Sequence, residues 1–215
     1  MKIELVVEKL VKFLKDRYRK DCDFRPSRDV FRVLITTILS QRTRDENTER
    51  AAKALFSKAG TPEKILKLSK KELERLIRPS GPYRQKAKRI KAVSKIILEK
   101  YKGKVPKTRE ELMELPGVGL KTSNIVLSYG YGKPVIAVDV HVEVTSKRLG
   151  LAPQNASVKE VEDILEELVP TEDKWIINLG MVQFGREICI TRKPRCFICP
   201  LNEVCPYPNK TKLVN

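Results

Sequence analysis

Residues 108–130 read TREELMELPGVGLKTSNIVLSYG, two amphipathic stretches parted by Pro116-Gly117-Val118-Gly119. Proline cannot continue the first helix, and Gly117 and Gly119 permit dihedrals and close approaches that a Cβ would block. The second stretch then opens with amides that lack intrahelical partners. Together with the helix dipole, those amides make a seat for an anion such as a phosphate oxygen. An ordinary αα-turn rich in glycine is the other reading of the same spacing.

Helical punctuation continues on both sides of this hairpin. Thr61-Pro62 opens EKILKL, Ser69 precedes KKELERLI, and Thr108 with Glu111 and Ser157 with Glu160 have capping-box spacing. Apolar residues fall at three-to-four spacing, as in Val30, Leu34 and Ile38 or Ile90, Val93 and Ile97, so each helix offers one face for burial. The β-branched run 134–142, PVIAVDVHV, is the one candidate strand, and no second strand of comparable quality offers it a partner. The pattern therefore predicts an all-α protein in which 134–138 is an extended connection into a helix. From Pro206 onward the sequence predicts a short polar tail.

The chain has 215 residues, 41% of them hydrophobic and 33% charged, the composition of a globular protein of one large or two modest domains. Its 44 Lys and Arg exceed its 27 Asp and Glu to give a net charge of +17, which a polyanion would offset. Nucleic acid is the partner this favours, with a heat-adapted ionic surface as the alternative. No stretch approaches the roughly 20 apolar residues of a membrane span, and the start MKIELVVEKLVKFLKDRYRK reads as an amphipathic helix rather than a signal peptide. An intracellular, cytoplasmic or nucleoid-associated protein with no membrane contact is expected.

Three features can carry chemistry. Lys121 falls in the first turn of the hairpin's second helix, where the helix dipole disfavours an ammonium and so favours a neutral, nucleophilic amine. A lysine that merely touches phosphate is the other reading. Asp139, set among Val138, Val140 and Val142, is a carboxylate where burial is otherwise suggested. It needs partners, and capping the next helix would supply them. Cys189, Cys196, Cys199 and Cys205 follow C-x6-C-x2-C-x5-C, four soft ligands suited to iron–sulfur or zinc, with the sole histidine, His141, far off in sequence. Cys22 stands apart and reads as a small buried side chain. Arg192, Lys193 and Arg195 ride on the cysteine loop and would meet phosphates.

The succession LPGVGLKTSNIVL, VDVHV and the cysteine set, with the aspartate eighteen residues after the lysine, resembles the endonuclease III family of DNA glycosylases over nearly the whole chain. The resemblance implies a two-lobed all-α helix-hairpin-helix fold. A six-helix domain would span 22–132, and a second domain, 1–21 plus 133–215, would hold a [4Fe-4S] cluster on the four cysteines. It implies base excision from double-stranded DNA bearing damaged bases or abasic sites, bound as a monomer across the cleft between the lobes. Lys121 would attack the sugar to expel an oxidised pyrimidine, Asp139 would assist, and β-elimination would cut the strand on the 3′ side.

DNA contacts are implied for Gly117, Val118 and Gly119 of the hairpin and for His141. Ile38-Leu39-Ser40-Gln41-Arg42-Thr43-Arg44-Asp45 resembles the region that fills the gap left by the extruded base, with Gln41 and Arg42 both in contention. GPYRQKA carries Pro82 where the family often has a leucine wedge. Thr37 and the end of the chain at Asn215 speak against an adenine-mismatch enzyme, and Lys121 against a thymine-mismatch glycosylase without lyase chemistry. A non-catalytic DNA-binding module and a zinc-binding interaction protein are the readings from other classes.

Overall fold

Side-chain caps open the helices at the places the sequence marks. Thr61, Ser69 and Thr108 accept from the backbone N–H groups of Lys64, Glu72 and Glu111, and Ser157 with Glu160 forms a reciprocal capping box. Each cap satisfies a first-turn amide and stabilises by about 1 kcal/mol. The structure, a computed structural model, describes residues 3–19, 27 and 29–212, and among these there are eleven α-helices and no strand. They are α1 (Ile3–Tyr18), α2 (Val30–Ser40), α3 (Asp45–Lys58), α4 (Pro62–Lys67), α5 (Lys70–Leu76), α6 (Tyr83–Glu99), α7 (Arg109–Met113), α8 (Leu120–Ile125), α9 (Val140–Arg148), α10 (Val158–Leu168) and α11 (Lys174–Glu187). Cys22 lies outside the described residues.

The chain divides into two units, Pro26–Lys133, and Met1–Arg25 with Pro134–Asn215. Pro26–Lys133 holds seven α-helices, α2 to α8, rather than six; α4, α5, α7 and α8 have only five to seven residues each. Its centre is α2, which buries Phe31, Leu34, Ile35, Ile38 and Leu39 and packs against α3, α6 and α8. Each such side chain removed from water stabilises by about 1.5–3 kcal/mol. Helix α6 turns Ala87, Ile90, Val93 and Ile97 inward and packs on α4 and α5. Helix α8 runs on as a π turn, Val126–Gly130, that lies on α2. That approach needs Gly130, because a Cβ there would sit 2.7 Å from Val30 Cγ1.

In the other unit α1 and α9 both pack on α11, around a core that includes Leu10, Leu14, Val142, Leu165, Ile177, Met181 and Phe184. Residues 132–139 carry neither helix nor strand, yet Ile136, Ala137 and Val138 are buried. Buried peptide groups need partners. Here side chains serve in place of a neighbouring strand: the Glu166 carboxylate of α10 accepts from the Ile136 amide, and Asn178 Nδ2 of α11 donates to the Ala137 carbonyl at 2.6 Å.

The expectation of a polar tail after Pro206 is corrected. Tyr207 stacks under the Arg148 guanidinium at 4.8 Å, Lys210 Nζ donates to the Asn202 carbonyl at 2.6 Å, and the Thr211 hydroxyl accepts from the Cys196 amide at 3.0 Å while donating to the Pro194 carbonyl. The segment thus folds back onto the cysteine loop, a set of single polar contacts that leaves no periodic mark in sequence.

Gly130→Ala tests the contact of the π turn with α2. Alanine in a helical stretch normally gains about 0.5–1 kcal/mol over glycine, but the rigid β-branched Val30 cannot yield, so a net loss of about 1–3 kcal/mol is expected in denaturant unfolding. Adding Val30→Ala should return part of it.

Candidate functional site

The hairpin turn is built around Gly117, whose φ of +84° lies in the left-handed region. A Cβ at Gly117 would also fall 2.7 Å from Arg89 Cδ, so the α6 arginine lies directly across the turn. Gly119 differs: its φ of −107° suits any residue, and nothing lies within 4 Å of where its Cβ would be. Nothing in the structure itself requires a glycine there, and the position lies open. Val118 is buried between them. No side chain caps the head of α8, and Lys121, the second residue of that helix, is exposed.

Two loops meet beside this turn. Gln41, after α2, donates from Nε2 to the Gly117 carbonyl at 2.8 Å and accepts from Arg89 at 3.3 Å, so both ends of its amide are committed to the hairpin. Arg42, next along, is exposed and takes a φ of +53°, a conformation unusual for any residue but glycine or asparagine. It forms the tip of the loop. The second loop, Ser80–Gly81–Pro82, leads into α6 with Gly81 at φ +81° and Pro82 exposed. The Cβ position of Gly81 is 3.7 Å from the Arg42 carbonyl and 3.6 Å from Thr43 Oγ1.

Beneath both loops lies a residue that the sequence reading missed. Lys86 is 1% exposed, and its Nζ donates to the Leu39 carbonyl (2.6 Å), Thr43 Oγ1 (2.7 Å) and the Ser80 carbonyl (2.6 Å). Burial, helped by the Arg89 guanidinium, pushes this lysine down to about 8, against three acceptors that favour the ammonium. A signal was present in the sequence: Lys86 stands four residues before Ile90, on the apolar stripe of α6.

In the other unit Asp139 is the N-cap of α9, its Oδ1 accepting from the amides of His141 (2.9 Å) and Val142 (3.0 Å). The capping role read from sequence is thus present, and it fixes the orientation of the carboxylate at the end of the pinned 132–139 segment. His141 packs against Gly185 of α11, where a Cβ would fall 2.7 Å from the ring Nδ1, and that nitrogen is buried without a hydrogen-bond partner. Any outward contact of the ring falls to its Nε2.

Cys189, Cys196, Cys199 and Cys205 line one small, largely apolar pocket with Phe184, Ile188 and Pro194. Burial pushes the Cys199 thiol up to about 11, with the three other thiols adding to the rise, and raises Cys205 as well. Among the described residues no three His, Cys, Asp or Glu side chains converge as a single metal ion requires. The loop that carries the thiols is held by a second buried cation the sequence reading missed. Arg148 donates to the carbonyls of Cys189 (3.2 Å) and Ile190 (3.0 Å) and to Cys189 Sγ (3.5 Å), while Cys205 Sγ donates to the Arg148 carbonyl at 3.3 Å. Arg192, Lys193 and Arg195 are all exposed on this loop.

A glycine hairpin heading an exposed lysine, in an all-helical chain, marks a class of DNA-repair protein. Residues 35–171 match the model of the HhH-GPD superfamily base excision DNA repair proteins. The chain is 47% identical over 203 residues to endonuclease III of Thermotoga maritima, covering 94% of this chain and 93% of that protein, and 45% identical over 175 residues to endonuclease III of Bacillus subtilis, covering 81% and 80%. Among solved structures, a trapped endonuclease III–DNA covalent intermediate superposes with a TM-score of 0.87 at 38% identity, over 96% of this chain and 97% of that one. A thermostable thymine-DNA glycosylase gives a TM-score of 0.87 at 30% identity, over 97% of each chain. The chain belongs to the endonuclease III family, and with it to the DNA glycosylase/AP lyases of base excision repair.

The buried Lys86 gives a pH test. An unfolded lysine titrates near 10.4, so between about pH 8 and 10.4 the unfolded chain binds more protons than the folded one and stability rises with pH. Relative to Lys86→Met, the native protein should gain up to about 1.4 kcal/mol per pH unit across that window in chemical unfolding. The opposite slope would mean that the three acceptors outweigh burial.

Proposed function

We propose that this chain removes oxidised pyrimidines from double-stranded DNA and then cuts the strand 3′ to the abasic site by β-elimination, with Lys121 as nucleophile. The observation that carries the reading is the position of Lys121, exposed in the first turn of an α8 whose head no side chain caps, directly after the open Gly119. The Val118 amide is held by the Leu115 carbonyl at 3.0 Å, so the phosphate falls to the amides of Gly117, Gly119 and the uncapped head of α8, which would bring a flipped-out nucleotide to the lysine. The neutral amine attacks the sugar C1′, the bond from C1′ to the base breaks, and the base leaves with the electron pair. Asp139, oriented by its two amide bonds, takes the proton released from the amine or stabilises positive charge at the sugar. The nitrogen lone pair then opens the sugar ring, breaking C1′–O4′ as O4′ takes up a proton; the imine so formed acidifies the C2′ proton, and loss of that proton expels the 3′ phosphate. Water then frees the lysine.

The loop geometry supports Arg42 over Gln41 as the residue that fills the vacated base position. Gln41 has both ends of its amide engaged by Gly117 and Arg89, whereas Arg42 is the exposed tip. Pro82 serves as the wedge on the opposite strand. Arg192, Lys193, Arg195 and His141 through Nε2 add backbone contacts, which steer and hold DNA without reading its sequence. The protein acts as a monomer inside the cell, at the nucleoid.

The four cysteines fit a [4Fe-4S] cluster as a donor set, four soft thiolates lining one largely apolar pocket. Bound there, the cluster supplies metal–thiolate cross-links that order the loop and presents its cations rigidly. Purified anaerobically, the protein should carry iron and acid-labile sulfide in equal amounts, and Cys199→Ser should lose most of both. Stoichiometric zinc without sulfide would overturn this assignment.

The lyase reading is tested by borohydride. Incubated with duplex containing thymine glycol or an abasic site, the holoprotein should form a covalent adduct, and Lys121→Ala should reduce trapping to background. No adduct from protein that binds DNA and retains its cluster would end the Schiff-base mechanism. The likeness to a thymine-DNA glycosylase favours a second reading, so a G·T mismatch belongs in the same series. Excision there without trapping would move the chain to that activity.

A further inference from the structure

The loop that ends in Arg42 and the loop that ends in Pro82 are forty residues apart in sequence but share one node. Lys86 Nζ spends all three of its hydrogens on it: one on the last turn of α2 (Leu39 carbonyl), one on the first loop (Thr43 Oγ1) and one on the second (Ser80 carbonyl). The Thr43 hydroxyl in turn donates to the same Ser80 carbonyl at 2.6 Å, closing a triangle between the loops. Each loop contains one residue in left-handed backbone, Arg42 at φ +53° and Gly81, just before Pro82, at +81°. A non-glycine residue keeps such a conformation only where its surroundings over-determine it.

A lysine is a costly way to fill this position if stability is the only gain. Its three acceptors are all neutral, so the buried charge has no carboxylate to offset its desolvation, and an apolar side chain would suit the Ala87–Ile90–Val93 stripe of α6. What an apolar side chain cannot do is bind three acceptors from two loops and a helix end at once. We propose that Lys86 is a positioning residue for base extrusion: it ties the Arg42 loop to the Pro82 loop so that the gap-filling side chain and the opposite-strand wedge enter the duplex as one rigid body. This rests on the assignment of those two loops to the DNA made above.

The test compares a lesion that must be extruded with one that is already loosely held. Single-turnover excision of thymine glycol and strand cleavage at a preformed abasic site are measured on the iron-loaded holoenzyme, together with unfolding midpoints. Flipping is least costly at an abasic site, so a defect in positioning falls mainly on the base substrate. Lys86→Met, of similar length without donors, should slow thymine glycol excision by about 10- to 100-fold, the scale of a 1 Å misplacement, and slow abasic cleavage by at least tenfold less. Thr43→Val cuts the bridge while leaving Lys86 in place and should shift the ratio of the two rates in the same direction, which carries the test if Lys86→Met does not fold. Lys91→Met is the control: Lys91, also on α6, holds the Leu68 carbonyl at 2.5 Å at the end of α4, and its loss should lower stability without moving the ratio. Equal slowing on both substrates, no slowing, or the same ratio change in Lys91→Met would overturn the proposal. If the unmutated protein acts on neither substrate, the assigned function itself fails and the proposal falls with it.

Discussion

The hydrogen bond from Gln41 Nε2 to the Gly117 carbonyl joins the end of the central helix α2 to the turn of the hairpin, and much of the Pro26–Lys133 unit is arranged to permit it. Gly117 must adopt a positive φ for the turn to close, and Arg89 must lie where a Cβ would otherwise stand. Arg89 then completes the amide of Gln41 from the other side. Its neighbour Arg42 is exposed and holds a left-handed conformation. One side-chain amide thus ties the end of α2 to the hairpin turn.

The excess of positive charge acquires a structure when the cations are sorted by burial. Among the described residues most Lys and Arg side chains are exposed or partly exposed, as an excess of charge requires. Two buried ones, Lys86 and Arg148, act on backbone carbonyls instead. Each gathers loop carbonyls that have no secondary-structure partner, Lys86 from the loops beside the hairpin and Arg148 from the start of the cysteine loop. Irregular backbone near the surface has unmet acceptors, and a long cation with several N–H groups satisfies them at the cost of burying its charge. Burial of a cation in this protein thus marks the loops whose shape matters.

The helices were legible in the sequence because their signals are local. Caps at Thr61, Ser69, Thr108 and Ser157 sit within three residues of the amides they bind, and the stripe of Ile90, Val93 and Ile97 repeats within a few turns. The hairpin was legible for the same reason, through Pro116 and its two glycines. What escaped were bonds between residues 40 or more positions apart, such as Lys86 to Leu39 and Arg148 to the cysteine loop, which have no period to betray them. The one available clue, a lysine on an apolar stripe, is read as core misplacement unless the loops opposite it are known. The bonds of Gln41 to Gly117 and Arg89 are of the same long-range kind and leave no mark in the sequence around them.

The cysteine loop shows how far a small segment depends on distant chain. It is too short to bury a core of its own, and its thiols lie in an apolar pocket where burial, with the neighbouring thiols, opposes ionisation of Cys199. Arg148, 3.5 Å from Cys189 Sγ, sets a cation against one thiol, and with Tyr207 and Thr211 it fixes the loop from α9 and from the returning C-terminal segment.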